Sequence, residues 1–203
     1  MARGFRISIG IILIVLIVGA GAVWLLMRRG FSAREQPTSV EAFFARHLRH
    51  LAVPRSERER KNPFPATPEI MAEARAHFAD HCATCHANDG SGQTDIGQGL
   101  YPKAPDMRQS ATQSLSDGEL FYIIHNGVRF TGMPAWGHNT PAEDEDSWKL
   151  VHFIRHLPQL GREELEEMKK LNPISRHELE EINEINKFLS GGEAPPKPPV
   201  KRR

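Results

Sequence analysis

Cys82-Ala83-Thr84-Cys85-His86 sets two thiols three residues apart, with an imidazole directly after the second. Two thiols at this spacing can add across the two vinyl groups of one porphyrin, giving two thioether bonds. The imidazole is then held beneath the iron as an axial ligand. The chain has 2 cysteines, so this use leaves no disulfide and no free thiol. A thioredoxin-like redox pair is the main rival, but it needs a βαβ surround that the sequence lacks. A zinc site needs a second ligand pair at knuckle spacing, which the 10 histidines do not supply. The predicted chemistry is that of one covalent haem c, held by Cys82 and Cys85 with His86 on the metal.

The surrounding punctuation is that of a small helical domain. Thr67-Pro68 supplies a cap and an N1 proline before Ile70, Ala74 and Phe78 at spacing four. Ser116-Asp117-Gly118-Glu119 reads as a capping box ahead of Leu120, Phe121, Ile123 and Ile124, with Asn126-Gly127 as the stop. Thr140-Pro141-Ala142-Glu143 reads as a second box ahead of Trp148, Leu150, Val151, Phe153, Ile154 and Leu157, with Pro158 beyond. Residues 87–106 are rich in Gly, Pro, Asn and Asp and are expected to be loop. Strand patterning of useful length and internal repeats are both missing. The expected class is all-α.

With those elements, residues 68–158 resemble class I cytochrome c, especially the single-haem domains carried as cytochrome subunits of oxidases and dehydrogenases. The resemblance rests on Cys82 to His86, on Gly132-Met133-Pro134-Ala135-Trp136, and on Trp148-Lys149-Leu150-Val151-His152-Phe153-Ile154-Arg155. It implies a cytochrome c fold around one covalent haem. It further implies that Ala74 and Phe78 meet the last helix near Leu150 and Phe153. Ala104-Pro105-Asp106-Met107 is similar to the family's Gly-Pro-Asn-Leu turn, which gives the Pro105 carbonyl the hydrogen bond from the ligand histidine, with Pro102 as the alternative. For the second axial ligand, Met107 falls where the family packs a leucine on the haem. Met133 lies 47 residues after His86 in a loop between two capped helices. Met133 is therefore expected on the iron, with His125 and His138 as bis-histidine alternatives. Trp136 carries an N–H that can reach a haem propionate, and it can equally pack on the haem edge. Arg129 and Tyr101 are weaker donors to the same groups, and His77 and His81 are expected to face solvent.

Outside that domain the composition changes. Residues 1–61 hold 11 Lys+Arg against 4 Asp+Glu, residues 62–160 hold 6 against 12, and residues 161–203 hold 9 against 9. The foldable part is the acidic one, which argues against a nucleic-acid partner. Ile7 to Met27 is 21 residues without a charge, about 31 Å as a helix and close to a hydrocarbon core of roughly 30 Å. A membrane anchor over 1–27 is expected; a signal peptide cut near Ala20-Gly21-Ala22 is the alternative. Residues 28–66 read as a tether broken by Pro37, Pro54, Pro63 and Pro65. Within it Val40, Phe43, Phe44, His47, Leu48 and Leu51 fall at helical spacing. That stripe is expected to pack on the domain or to sit in a solvated linker, with the membrane surface as a third option. The basic run from Arg55 to Lys61 is expected to be solvated linker. A haem domain is assigned to 67–160, a helical extension to 161–190, and a disordered proline-rich tail to 191–203.

These readings converge on an electron-transfer protein with no catalytic constellation and no small-molecule substrate. A His/Met pair would fill both axial positions and suit a reversible one-electron carrier that works with redox partner proteins. Haem attachment of this type belongs to the outer side of an energy-transducing membrane, so a single-pass protein of the bacterial inner membrane, with its haem domain in the periplasm, is expected. Two alternatives stand beside it. One is a non-catalytic subunit of an oxidase or dehydrogenase that docks through Glu163 to Leu189. The other is a haem sensor or peroxidase-like protein with an open sixth position. The four acids Glu143 to Asp146 read first as a helix start and second as a steering patch.

Overall fold

The computed structural model describes residues 2–30, 32–137, 140–174 and 176–191, and every regular element among them is helical. In chain order these are α1 (Ala2–Arg29), α2 (Ser39–Ala52), α3 (Arg55–Arg58), α4 (Pro68–His77), α5 (Ala83–His86), α6 (Asp95–Gly99), α7 (Ser110–Gln113), α8 (Asp117–Asn126), α9 (Pro141–His156), α10 (Arg162–Leu171) and α11 (Arg176–Leu189). A π-helical turn, Phe78–Cys82, joins α4 to α5, and a 3₁₀ turn, Leu157–Gln159, follows α9. His138 and residues 192–203 lie outside the described residues, and with them nearly all of the expected tail.

The local signals act where the sequence puts them. Thr67 Oγ1 accepts from Ile70 N at 3.3 Å and Pro68 occupies the first turn of α4. Ser116 Oγ accepts from Glu119 N at 3.1 Å while the Glu119 carboxylate accepts from Ser116 N at 2.8 Å, closing the box on α8. Helix α8 stops at Gly127, whose φ of +65° favours glycine and whose α-carbon lies against Pro134 and Ala135. The box expected on α9 involves Glu143, whose side chain lies outside the described residues.

Helices α4, α8 and α9 pack around one core of Ala74, Phe78, Leu120, Phe121, Ile124, Trp148, Val151 and Phe153. Phe78 and Phe153 meet with ring centroids 5.0 Å apart, and Phe121 stacks on Trp148 at 4.2 Å. The packed core runs past residue 160. Met168 of α10 is buried in it, Arg75 of α4 pairs with Glu164 at 3.3 Å and Glu167 at 2.8 Å, and Asn88 Nδ2 donates to Asn172 Oδ1 at 2.8 Å. The basic run from Arg55 is likewise more than solvated linker. The Arg60 guanidinium lies 4.5 Å from the Phe121 ring centroid and 5.1 Å from that of Trp148, while Asn62 Nδ2 donates to Trp148 O at 2.9 Å. Gly118 sits directly against the Glu57 carbonyl, which leaves no space for a side chain where α3 crosses α8.

Helix α1 is 28 residues long, about 42 Å at 1.5 Å per residue, and its described side chains at 9–25 are apolar or small and, Ile9 to Leu25, largely exposed. Among the described residues no helix, α1 included, is long and apolar enough to cross a membrane, in contrast to the anchor expected over 1–27.

Candidate functional site

Cys82 closes the π-helical turn, and Cys85 and His86 occupy the single turn of α5, so the three groups arise from one short helical segment. Helix α4 and the buried Phe78 and Ala79 fix that segment to the core. Both cysteines are free thiols. Burial, followed by the neighbouring Cys85, pushes the Cys82 thiol up to about 12. A reactive dithiol pair needs a thiol pKa lowered towards neutrality, so this environment speaks against thioredoxin-like chemistry.

After His86 the chain coils back on the motif's own carbonyls. Gly92 N donates to His86 O at 2.8 Å, and Thr94 Oγ1 donates to Cys85 O at 3.2 Å while accepting from Gly97 N at 2.8 Å. A side chain at Gly97 would overlap the Cys85 carbonyl; one at Gly92, where φ is +71°, would overlap the Ala104 carbonyl. These two glycines let residues 104–105 close on the motif. The Pro105 carbonyl consequently acts on the His86 ring. Burial lowers the His86 pKa and Pro105, the smaller effect, raises it. His86 Nδ1 is buried and makes no hydrogen bond of ordinary geometry. Arg108 pins the turn: its guanidinium donates to both Asp106 oxygens at 2.8 and 2.9 Å and to Asp89 at 2.9 Å, and holds the Asp106 carboxyl down at about 2.

Met133 is half-buried in the loop that joins α8 to α9. That loop is tied at both ends. Val128 N donates to Met133 O at 3.1 Å, Met133 N to Thr131 Oγ1 at 3.2 Å, Trp136 N to Ile124 O at 3.2 Å and Gly137 N to His125 O at 3.0 Å. Gly132 lies against the Leu100 side chain, which brings the loop to the segment that follows His86. Met107 is buried in the core. Trp136 packs on the core, its ring 5.3 Å edge-on from that of His81. His125 stacks on Phe121 at 5.3 Å and its Nδ1 stands 3.2 Å from an Asp144 oxygen, so its described partners are internal. His77 is half-buried rather than solvent-facing, and burial lowers its pKa; His81 is exposed as expected. Of the other acids in the run, Glu145 pairs with Lys149 at 2.8 Å and Asp146 stands 3.9 Å from His77. Arg129 and Tyr101 are both exposed.

Haem c fits these residues. The motif offers two thiols free of other bonds and a histidine on the same short helical turn. A recess of about 370 Å³ bordered by Pro54, Arg60, Phe121, His125 and Asp144 is a seam between tether and domain; it holds neither the attachment motif nor Met133, and of the expected ligands only the alternative His125 borders it.

An all-helical fold with this motif at the end of its first core helix is that of a c-type cytochrome. The family described as cytochrome C oxidase, cbb3-type, subunit III matches residues 69–154, and that part of the chain is a c-type cytochrome domain, which implies covalently bound haem c. A search of the curated proteins found no match to the chain. The domain's role is electron transfer with redox partner proteins. Glycines 92 and 97, Thr94 and Arg108, which position the ligand turn, escaped the sequence reading; the glycine density of residues 90–99 was the available signal.

Proposed function

We propose that the protein is a membrane-tethered electron carrier whose haem domain stands in the bacterial periplasm, with His86 and Met133 as the two axial ligands. The carrying observation is the turn that bears His86: two free thiols stand on the same short helical segment, and Gly92 and Gly97 let residues 104–105 close on it. A histidine so placed is oriented from behind, which leaves its other nitrogen for a metal. Bound haem c supplies one reversible electron. Cys82 and Cys85 would hold it, Thr94 and Gly97 steady the Cys85 end, and Pro105 orients His86 and makes it a better donor. Met133, in a loop tied at both ends, would bring a soft thioether, which favours the ferrous state and raises the potential. Trp136 closes that loop against α8 and supports Met133 from the core side.

The 21 uncharged residues Ile7 to Met27 support the anchor, and covalent haem attachment supports the periplasmic side. The family match favours a second reading, a non-catalytic cytochrome subunit of an oxidase, in which α11 is the docking element because α10 is spent on the core. Haem that stays with the protein in acid and is lost from Cys82→Ala/Cys85→Ala is the expected result; acid-extractable haem in the parent contradicts it. Co-purification with an oxidase core after mild solubilisation selects the subunit reading, and isolation as a lone membrane protein selects the carrier.

A further inference from the structure

The tether carries a helix whose apolar side faces away from the protein. Thr38 Oγ1 accepts from Glu41 N at 3.2 Å and the Glu41 carboxylate accepts from Thr38 N at 2.7 Å, so α2 starts on a full capping box. At 100° per residue Ala42, Arg49 and the following Val53 share one side, and these are its covered positions. That side is strapped to the haem domain. His50 Nδ1, at the edge of that side, lies 2.8 Å from the buried Glu119, Arg58 lies 2.7 Å from His50 Nε2, and Val53 is buried. Val40, Phe44, His47, Leu48 and Leu51 occupy the opposite side, with Phe43 at its edge beside His50; Phe44 is 57%, Leu48 62% and Leu51 74% exposed. An ordinary surface helix does the reverse and turns its apolar stripe inward.

We propose that α2 is a membrane-surface helix, its outward apolar stripe seated in the interface of an anionic bilayer and its polar side holding the haem domain. The proposal rests on the anchor reading, which brings a bilayer to within the 9 residues, 30–38, that separate α1 from α2. Charge agrees with this occupant: residues 28–61 hold 9 Lys+Arg against 4 Asp+Glu, a net of +5 that suits anionic headgroups. The strap through Glu119 and the buried Val53 then makes the bilayer a fixed floor for the haem domain, in place of a loose tether.

The test uses the full haem-loaded chain in vesicles of mixed neutral and anionic phospholipid, where the native cysteines are consumed in thioethers. Nitroxide labels are placed singly at Phe44→Cys, Leu48→Cys, Val15→Cys in the anchor and Gln109→Cys on the domain, with an unchanged haem spectrum as the check on folding. A label that disturbs the spectrum is replaced by one at Leu51→Cys. Labels at 44 and 48 are expected to collide with oxygen severalfold more, and with a water-soluble nickel chelate severalfold less, than the label at 109. Equal nickel access at 44, 48 and 109 overturns the proposal. So does strong spin coupling between copies, which makes a second chain the cover. Nickel exclusion without oxygen gain, relieved by Leu179→Ser/Ile182→Ser in α11, overturns it in favour of an internal cover. The label at Val15 reports separately: aqueous exposure there removes the anchor reading, whatever the result at 44 and 48.

Discussion

Asp106 and Arg108 show how single residues set the position of the ligand turn. Asp106 follows Pro105 directly, and its carboxylate accepts from the Arg108 side chain, the Arg108 backbone at 3.0 Å and Gln109 Nε2 at 3.2 Å. The Arg108 hydrogen bond, the first cause, holds the carboxyl near 2 against an ordinary value of about 3.9. Because the folded pKa is depressed, the stability it contributes is complete above the unfolded value and is lost as pH falls from about 4 through about 2. Asp106→Asn is expected to lower stability by roughly 1 kcal/mol at pH 7, a figure reduced for the partial exposure of the pair. Thermal unfolding of parent and variant should converge as pH approaches 2. A constant gap down to that pH would show that the carboxylate charge has no part in holding the turn.

At the scale of elements, the haem domain is completed by pieces from both sides of the residues that resemble a cytochrome. Helix α10 contributes Met168 to the core and carboxylates to Arg75. Met168→Ala is expected to cost roughly 2–5 kcal/mol, as truncation of a core side chain does, read by denaturant unfolding of the haem-loaded protein. A loss under about 0.5 kcal/mol would make α10 an appendage. Much of this architecture was legible because caps are local: Thr67-Pro68, Ser116 with Glu119 and Asn126-Gly127 each bound a helix where they stand. The attachment motif is legible for the same reason, since five consecutive residues carry its chemistry. What a helix face meets is decided elsewhere in the chain. The stripe from Val40 to Leu51 reads as packed on the domain, solvated or lying on a membrane, and only the fold shows that the helix meets Glu119, 69 residues away, through His50. Arg60 looked like solvated linker because nothing near it announces the Phe121 and Trp148 rings that it covers. Gly92 and Gly97 look like ordinary loop glycines until the carbonyls of Ala104 and Cys85 arrive against them.

For the whole molecule, the proposed function makes an anchor, the strapped tether and the haem domain one device that would move single electrons beside a membrane. A chain beginning at residue 32 is expected to be soluble and haem-loaded, while the full chain resists extraction by carbonate. Equal partitioning of the two would remove the anchor. The acidic run at the start of α9 has a smaller part in this picture than charge alone suggests, since Asp144, Glu145 and Asp146 all face internal partners. The central claim is a closed, low-spin iron between His86 and Met133, and it is tested most directly by the reduced optical spectrum of the full chain under carbon monoxide, recorded beside Met133→Ala. The account predicts an unchanged spectrum in the parent and a carbon monoxide complex in Met133→Ala, with haem still covalently bound in both. Carbon monoxide binding by the parent, or none by Met133→Ala, would contradict it.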